Sequence, residues 1–228
     1  MKETIRKMIL SLGADVCGFA AVERFGEAPA GFGPLDVWPA CKTVIAFGLA
    51  LPKGLMEAPG NLIYGWFNSQ AAVRADRIAL EAARSIEAAF EAKAMPIPCD
   101  APYDSWDAAT QTGRGILSAK HAAVACGLGQ PGKSALLLNP RYGSRLTIGL
   151  LLTDLELPSD EYCENICISG CSLCVASCPA HAIQPDGTVR QDLCRPNTFG
   201  QNAKGYATVC CNRCRTVCPM RFGRPEAQ

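Results

Sequence analysis

The pattern of apolar and polar positions predicts a helix followed by two buried strands at the start of the chain. Residues 2–12 place Ile and Leu at helical spacing, and Gly13 is a suitable end for that helix. The segments 16–22 and 43–51 are apolar, partly β-branched and bounded by Gly or Pro. Such runs are typical of strands that are buried on both faces.

Later segments predict more helix and more strand. Between residues 69 and 94 apolar residues recur at every fourth position with charged residues opposite, and Pro96 closes the pattern, which predicts the longest helix. Residues 118–126 predict a second such helix. The apolar runs 135–139 and 145–155 read as two strands joined by a Pro-Arg-Tyr-Gly turn, so we expect a β-hairpin there.

Composition excludes several classes of function. The 22 Lys and Arg residues balance 21 Asp and Glu residues, for a net charge of +1. No basic field therefore favours a nucleic acid or an anionic lipid as partner. The N-terminal segment lacks a complete signal-peptide apolar run, and no stretch approaches the roughly 20 apolar residues of a membrane span. We therefore expect a cytoplasmic protein with no nucleic-acid or membrane partner.

The 14 cysteines are unevenly distributed along the chain. Four stand alone in apolar surroundings and are predicted to be buried structural residues: Cys17, Cys41, Cys99 and Cys126. All others lie between Cys163 and Cys218. Dense cysteines in a reducing compartment more often bind metal than form disulfides. We therefore predict two domains, covering residues 1–157 and 158–228.

The cysteine-rich segment contains two motifs that both end in Cys-Pro. They are Cys167-x3-Cys171-x2-Cys174-x3-Cys178-Pro179 and Cys211-x2-Cys214-x3-Cys218-Pro219. In bacterial two-cluster ferredoxins, three closely spaced cysteines bind one 4Fe-4S cluster and the cysteine before proline binds the other. This rule predicts a first cluster on Cys167, Cys171, Cys174 and Cys218. It predicts a second cluster on Cys178, Cys211, Cys214 and one further cysteine.

Two positions in these ligand sets have competitors. The fourth ligand of the second cluster is Cys194 or Cys210, and we favour Cys194 because Cys210 adjoins Cys211, and adjacent side chains rarely reach one cluster. Cys163 competes with Cys167, since the gap before Cys171 is one residue longer than usual; we favour Cys167. Zinc is the weaker alternative, because the two Cys-x2-Cys pairs are too far apart for a common zinc ribbon and zinc does not explain the Cys-Pro endings.

Residues 127–134, Gly-Leu-Gly-Gln-Pro-Gly-Lys-Ser, match the pattern of a phosphate-binding P-loop. A P-loop needs a strand before the loop and a helix after it, so that the N-terminus of the helix faces the phosphate. Here the order is reversed: a predicted helix precedes the motif and a predicted strand follows it. We therefore do not expect nucleotide hydrolysis.

Together these segments resemble the epoxyqueuosine reductase-like iron-sulfur proteins, a family related to the corrinoid-dependent reductive dehalogenases. The resemblance is carried by Gly127-Leu-Gly-x-x-Gly-Lys133, by residues 141–144 and 149–155, and by both cysteine motifs. It implies an α+β fold with a nitroreductase-like N-terminal domain, which binds cobalamin, and a ferredoxin-like C-terminal domain. It also implies that a lone cysteine between the motifs, here Cys194, binds the second cluster.

The resemblance further implies a set of candidate corrinoid contacts, which are Lys133, Asn139, Arg141, Gly143 and Ser144. Two departures from the family matter. The family's catalytic aspartate falls here at Gly113, and the sequence ends at Gln228, where longer members continue into a helical-repeat extension that grips transfer RNA. We therefore expect that epoxyqueuosine is not the substrate.

Three functions remain compatible with the sequence. The first is a reductase in which two 4Fe-4S clusters relay electrons from an unidentified donor to cobalamin or a similar acceptor. The second is an electron carrier or reductive activator of a partner corrinoid protein. The third is a scaffold that needs its clusters only to fold.

Overall fold

The computed structural model describes residues 1–58, 61–99, 105–110 and 112–225. The helices are α1 (Lys2–Ser11), α2 (Pro34–Val37), α3 (Leu62–Ala89), α4 (Ala119–Ala125), α5 (Leu173–Ala176), α6 (Gln191–Thr198) and α7 (Arg213–Thr216). The strands are β1 (Val16–Ala21), β2 (Thr43–Ala50), β3 (Ala94–Ile97), β4 (Ser105–Asp107), β5 (Thr112–Arg114), β6 (Gln130–Pro131), β7 (Leu137–Leu138), β8 (Leu146–Thr153), β9 (Phe199–Gln201) and β10 (Ala207–Val209). Short 3-10 helices cover Val22–Phe25 and Lys53–Met56.

A four-stranded antiparallel sheet in the order β1-β2-β8-β3 forms the centre of the fold. Its two middle strands, β2 and β8, are buried along almost their whole length. Because successive side chains on a strand point to opposite faces, each strand contributes to two cores. Ile45 and Phe47 face one core, whereas Val44 and Ala46 face the other.

Helices cover both faces of this sheet. Helices α1 and α3 pack on one face, where Ile5, Ile9, Ile78 and Ile86 are buried against β1, β2 and β8. Helix α4 packs on the opposite face, where Ala122 and Cys126 are fully buried. The sheet needs apolar residues on both sides, which explains the uninterrupted apolar runs in its middle strands.

The predicted elements of this part are largely confirmed. Helix α1, strands β1 and β2, and helix α4 lie where the sequence predicts them. The long helix is present but begins at Leu62 and ends at Ala89, earlier than predicted at both ends. Pro96 does not close it, because residues 94–97 form strand β3 along the edge of the sheet beside β8.

The predicted hairpin of residues 135–155 is wrong. Strand β7 pairs with β6, and β8 instead pairs with β2 along its full length and with β3. The turn between β7 and β8 closes on itself through reciprocal backbone bonds of 2.9 and 2.8 Å between Asn139 and Gly143. Gly143 has a φ of 61° there, a conformation that favours glycine. The chain then turns away from β7 and enters the middle of the sheet.

The segment after β8 runs along the free edge of β1. The backbone N–H of Asp160 donates to the Phe19 carbonyl at 2.8 Å, and the Phe19 N–H donates to the Asp160 carboxylate at 3.0 Å. The Ala21 N–H donates to the Ser159 hydroxyl at 2.9 Å. These bonds satisfy backbone groups of an edge strand, which would otherwise be exposed. They also fix the point at which the cysteine-rich segment begins.

Candidate metal centres

The cysteine-rich segment has little apolar core of its own. Its buried hydrophobic side chains, among the described residues after 158, are Ile166, Ala182 and Ile183. Helices α5 and α7 are each only one turn long, and they pack against each other. A small unit with so few buried apolar residues usually requires disulfides or metal to fold. Among the described residues, none of its cysteines forms a disulfide, which leaves metal as the remaining means of stabilising it.

The two Cys-Pro turns have the same local geometry. The N–H of His181 donates to the Cys178 carbonyl at 3.1 Å, and the N–H of Arg221 donates to the Cys218 carbonyl at 3.1 Å. Each turn follows a one-turn helix that carries the preceding cysteine of its motif, Cys174 on α5 and Cys214 on α7. The repeat in the sequence is therefore also a repeat in the backbone.

One pocket brings together cysteines from both motifs. It is lined by three cysteines of the first motif and by the last cysteine of the second motif, namely Cys167, Cys171, Cys174 and Cys218. Its walls are mainly apolar and include Ile168, Leu173, Leu138 and Met220. The lining thus contains the four cysteines that the sequence predicts as ligands of the first cluster.

The pKa of Cys218 depends on the other cysteines that line this pocket. Burial raises the pKa of this thiol, and a backbone hydrogen bond from Met220 opposes the rise. The thiols of Cys167, Cys174 and Cys171 raise its pKa further, because like charges in close proximity disfavour ionisation. Binding to metal would remove these protons, since the thiolate is the ligand.

A second group of thiols surrounds Cys214. Burial raises the pKa of this thiol to about 11, and the guanidinium of Arg215 opposes the rise. The thiols of Cys194, Cys211 and Cys178 raise the pKa of Cys214 further, because like charges in close proximity disfavour ionisation. These four thiols are the set that the sequence predicts for the second cluster, with Cys194 in the contested position.

Cys163 and Cys210, which compete for positions in the two ligand sets, contact groups outside those sets. The thiol of Cys163 donates to the carbonyl of Gly127 at 2.9 Å, and Cys163 does not line the pocket. Cys210 is exposed, and its thiol lies 3.3 Å from the hydroxyl of Thr208. The ligand assignment stays a prediction, in which Cys167 and Cys194 have the more suitable surroundings.

Neither group of thiols converges on a single point. Within the described ranges, no group of three or more His, Cys, Asp or Glu side chains is arranged to hold one metal ion. A cubane cluster does not need such convergence, because each of its four cysteines binds a different iron atom. Within the described residues, four cysteines that line one pocket without converging on one ion therefore favour a cluster over a single zinc ion.

The scattered cysteines of the N-terminal part are mostly buried, as predicted. Cys17, Cys41 and Cys126 are buried, and Cys99 is half-buried. Burial raises the pKa of Cys17 to about 12 and that of Cys41 to about 11. Thiols with such raised pKa values are poor nucleophiles at neutral pH.

Four of the five candidate corrinoid contacts lie in the 139–144 turn, which meets the second cysteine motif, whereas Lys133 contacts the first motif. The Asn139 side chain is buried; its amide donates to the Leu128 carbonyl at 2.7 Å and its oxygen accepts the N–H groups of Arg141 and Tyr142. A side chain at Gly143 would overlap the backbone of Arg221, since an added Cβ would lie 2.3 Å from it. These two residues hold the turn in place.

The other three candidates differ in their exposure and in whether their polar groups already have a partner. Ser144 is buried, and its hydroxyl has no hydrogen-bond partner among the described residues. Arg141 is exposed, and its guanidinium lies 5.2 Å from the centre of the Tyr142 ring. The Lys133 ammonium donates to the carbonyl of Cys171 at 2.9 Å. All five residues remain predicted corrinoid contacts.

One contact at this boundary was not predicted from the sequence. The guanidinium of Arg215, which lies beside Cys214 on α7, donates to the carbonyl of Ser144. It therefore joins the second cysteine motif to the 139–144 turn. No spacing signal could have identified it, because the bond depends on how two distant segments meet.

Comparison with known proteins supports the resemblance found in the sequence. No protein-family model matches the chain. An epoxyqueuosine reductase from Bacillus cereus is 25% identical over 98% of this chain, and the chain spans 65% of that relative's length. The epoxyqueuosine reductase of Vibrio cholerae is 36% identical over 46% of this chain and 31% of the relative.

Solved structures show the same relationship at the level of the fold. The epoxyqueuosine reductase of Streptococcus thermophilus superposes with a TM-score of 0.72 and 21% identity, over 100% of this chain and 68% of that one. A catabolic reductive dehalogenase, in complex with 3-bromo-4-hydroxybenzoic acid, superposes with a TM-score of 0.68 and 19% identity, over 99% of this chain and 32% of that one.

The class that these likenesses define is a mixed α+β fold shared by epoxyqueuosine reductases and reductive dehalogenases. Within that class, the predicted resemblance to the epoxyqueuosine reductase-like proteins is confirmed. Redox reductases are thus the relatives of this cysteine-rich chain.

Two further expectations concern partners and location. One similar structure, with a TM-score of 0.66, 18% identity and coverage of 99% of this chain and 66% of that one, is an epoxyqueuosine reductase with a tRNA-Tyr epoxyqueuosine-modified tRNA stem loop. That relative is in tension with the expectation of no nucleic-acid partner, which was drawn from the balanced net charge. Among the helices in the described residues, none is long and apolar enough to cross a membrane.

Proposed function

We propose that this chain is a reductase that relays electrons through two 4Fe-4S clusters to cobalamin or a similar acceptor held by its N-terminal part. The proposal includes the division into a nitroreductase-like domain, residues 1–157, and a ferredoxin-like domain, residues 158–228. It also includes both ligand sets, with Cys167 in the first and Cys194 in the second.

The observation that carries the proposal is the mixed origin of the pocket lining. Cys218 belongs to the second motif, yet it lines the pocket together with Cys167, Cys171 and Cys174 of the first. Conversely, Cys178 of the first motif acts on Cys214 of the second. This exchange of the last cysteine is the arrangement of two-cluster ferredoxins.

The chain's own residues provide the conditions that electron relay requires. When bound, the clusters would supply one-electron transfer, and the exchange of ligands would keep them close together. The apolar walls of the pocket, including Ile168, Leu173 and Met220, would exclude water from the first cluster. Exclusion of solvent and hydrogen bonding to the sulfurs are what set the potential of such clusters.

The N-terminal part offers two groups for an acceptor near the 139–144 turn. The Ser144 hydroxyl is buried without a partner in the described structure, so it can bond to an added polar group. The Arg141 side chain is exposed and can meet an amide or phosphate of an acceptor. Cobalamin is the acceptor that the similar dehalogenase structures suggest, one of which is described as informing B12-dependent dehalogenation.

Among the described residues of the β4–β5 region, no group is poised to donate a proton for epoxide reduction. Gly113, at the position of the family's aspartate, lies in β5, and its N–H donates to the Gln191 side chain at 3.2 Å. In the facing strand, a hydrogen bond from the Thr110 hydroxyl holds the pKa of Asp107 below its usual value. A carboxylate with a lowered pKa is ionised at neutral pH and cannot act as an acid. We therefore propose an acceptor other than epoxyqueuosine.

The direct test is anaerobic titration of the purified, reduced protein with cob(III)alamin, followed by ultraviolet-visible spectroscopy. We expect retained cobalamin after gel filtration, a shift in its spectrum and reoxidation of the clusters. Loss of all cobalamin in the column, with an unshifted spectrum, would refute the acceptor site. The variant Arg141→Ala is expected to weaken retention, whereas Arg77→Ala, on the exposed face of α3, serves as the control.

A second candidate function is favoured by an exposed apolar surface beside the second motif. Helix α3 begins with Leu62, Ile63, Trp66 and Phe67, all of which are exposed. The Asn61 side chain next to them donates to the carbonyl of Cys210 at 2.6 Å. Such a surface next to a cluster suits the docking of a partner protein, so the chain would then be an electron carrier or activator.

The two candidates predict different kinetics. A carrier is expected to reduce a partner corrinoid protein faster than dithionite alone, and Trp66→Ser is expected to slow that transfer while iron content is unchanged. Equal rates with and without the protein would count against the carrier. Clusters that are present but redox-silent would instead favour a purely structural role.

A further inference from the structure

The P-loop-like segment, residues 127–134, enters the function proposed above only through Lys133, one of the predicted corrinoid contacts. Helix α4 precedes it and strands β6 and β7 follow, so the order is the reverse of a true P-loop, as predicted from the sequence. The segment nevertheless faces a defined site. Gly132, Lys133 and Ser134 line the same pocket as the four cysteines predicted to hold the first cluster.

Gly132 allows this segment to approach the pocket closely. A Cβ added to Gly132 would lie 2.9 Å from a methyl carbon of Leu138 and 3.8 Å from the sulfur of Cys167. The first distance is shorter than real contacts, and Leu138 itself lines the pocket. A larger residue at 132 would therefore press on the pocket wall.

Lys133 brings a positive charge to the loop that carries a predicted ligand. Its ammonium donates to the carbonyl of Cys171 at 2.9 Å, in a partly buried position. Among the described residues that line the pocket, Lys133 is the one cation, and none of them is acidic. Its charge therefore has no carboxylate counterpart there and can act on a group within the pocket.

A 4Fe-4S cluster with four thiolate ligands is an anion, and reduction adds one further negative charge. A nearby cation stabilises the reduced form more than the oxidised form, and it acts more strongly where water is excluded. With the first cluster bound, the glycine and lysine that cradle a phosphate in a P-loop would lie beside a different anion.

We propose that the Gly132-Lys133 segment caps the first cluster, and that the charge of Lys133 raises the reduction potential of that cluster. Lys133 is a positioning residue, because it acts through its bond to the Cys171 loop and through its field. This proposal rests on the proposed function only in requiring that the first cluster is present. The role is compatible with an acceptor near the 139–144 turn.

The test is a redox titration of the full chain, monitored anaerobically by electron paramagnetic resonance, on the wild type and the variants Lys133→Met and Lys133→Gln. We expect one of the two cluster potentials to become more negative in both variants, while the other does not move. Lys133→Gln keeps a hydrogen-bond donor for the Cys171 carbonyl, so a shift there isolates the effect of charge. Lys133→Arg is expected to restore the wild-type potential.

A matched control is available on helix α4, which precedes this loop. Lys120 donates to the carbonyl of Ala135 at 2.9 Å but does not line the pocket, so Lys120→Met removes an equivalent bond and charge. We expect it to leave both potentials close to wild type. A shift as large as that of Lys133→Met would overturn the specific role of Lys133.

The outcomes separate this inference from the proposed function. A wild-type protein without iron would refute the proposed function and this inference together. Full iron content with unchanged potentials in Lys133→Met and Lys133→Gln would refute this inference alone. If Lys133→Met loses half of its iron, the Lys133→Gln titration decides the question.

Discussion

The contact between Asp160 and the N-terminal helix offers a quantitative test of how the cysteine-rich segment is attached. The Asp160 carboxylate accepts bonds from the Lys2 ammonium at 2.7 Å, from the Arg6 guanidinium at 2.9 Å and from the Phe19 N–H at 3.0 Å. The two cations also lie over the Phe19 ring. Replacing Asp160 with Asn removes the charge but leaves one oxygen for the Phe19 N–H.

The size of the effect follows from these contacts. A hydrogen bond to a charged partner contributes about 1.5–3 kcal/mol, and an exposed ion pair contributes less than about 1 kcal/mol. The Asp160 side chain is 24% exposed, which places it between these limits. We expect Asp160→Asn to lower the free energy of unfolding by about 2 kcal/mol, which for a chain of this size lowers the Tm by about 4–8 °C.

The pH dependence has a definite sign. Burial raises the pKa of Asp160, but hydrogen bonds from Lys2 and Arg6 outweigh burial, so its pKa lies below the usual value. A lowered pKa contributes stability above the unfolded pKa of about 4, and that stability is lost as the pH falls through the folded pKa. The difference in Tm between wild type and Asp160→Asn is therefore expected to be constant from pH 5 to pH 8.

The assay is thermal unfolding followed by circular dichroism under anaerobic conditions, with iron content measured in parallel. Glu3→Gln is the control, because Glu3 pairs with the same Arg6 but its side chain is 69% exposed. We expect little change in that variant. An Asp160→Asn Tm within 1 °C of wild type, or a difference that declines between pH 5 and pH 8, would refute the reasoning.

Two other predictions concern the second cluster and the central sheet. Cys194→Ser is expected to lose about half of the iron while Cys210→Ser keeps all of it, as measured by iron assay; the reverse result would exchange their assignments. Gly149→Ala is expected to destabilise the fold by about 1–3 kcal/mol, because an added Cβ would lie 2.2 Å from the Phe47 ring. A denaturation midpoint equal to wild type would contradict that packing.

The sequence predicts the middle of the sheet well because burial on both faces leaves a plain signal. The runs that contain Val44 and Leu150 are apolar without interruption, and both form central strands. The sequence pattern did not predict the start of α3, because the signal there is weak. Trp66 and Phe67 are exposed there, so the helix carries apolar residues on two sides and its periodicity is blurred.

The wrong hairpin prediction shows that the local pattern of apolar residues does not determine which strands pair. Two apolar runs around a turn predict pairing with each other, but β8 has a longer partner in β2, which lies far away in the chain. The turn itself was correctly located, and its conformation depends on Asn139 and Gly143. Long-range pairing decided the topology, and no local residue type encodes it.

The candidate metal centres were more predictable than the acceptor site. Cluster ligands follow a spacing rule, because three sulfurs of one short loop bind the same cluster, so the motif predicts most of the ligands and leaves two positions with competitors. The candidate acceptor residues came from resemblance, and Asn139 proved to be engaged by the backbone of its own turn. The interaction of Lys133 with the Cys171 carbonyl could not be predicted, because it joins two separate segments.

The central claim, that the two cysteine motifs exchange ligands around two 4Fe-4S clusters, is tested most directly by the metal content of anaerobically purified protein. We predict about eight iron and eight sulfide per chain, no stoichiometric zinc, and electron paramagnetic resonance signals of two interacting reduced clusters. One or two zinc ions per chain, with no labile sulfide in protein that was never exposed to air, would contradict the account.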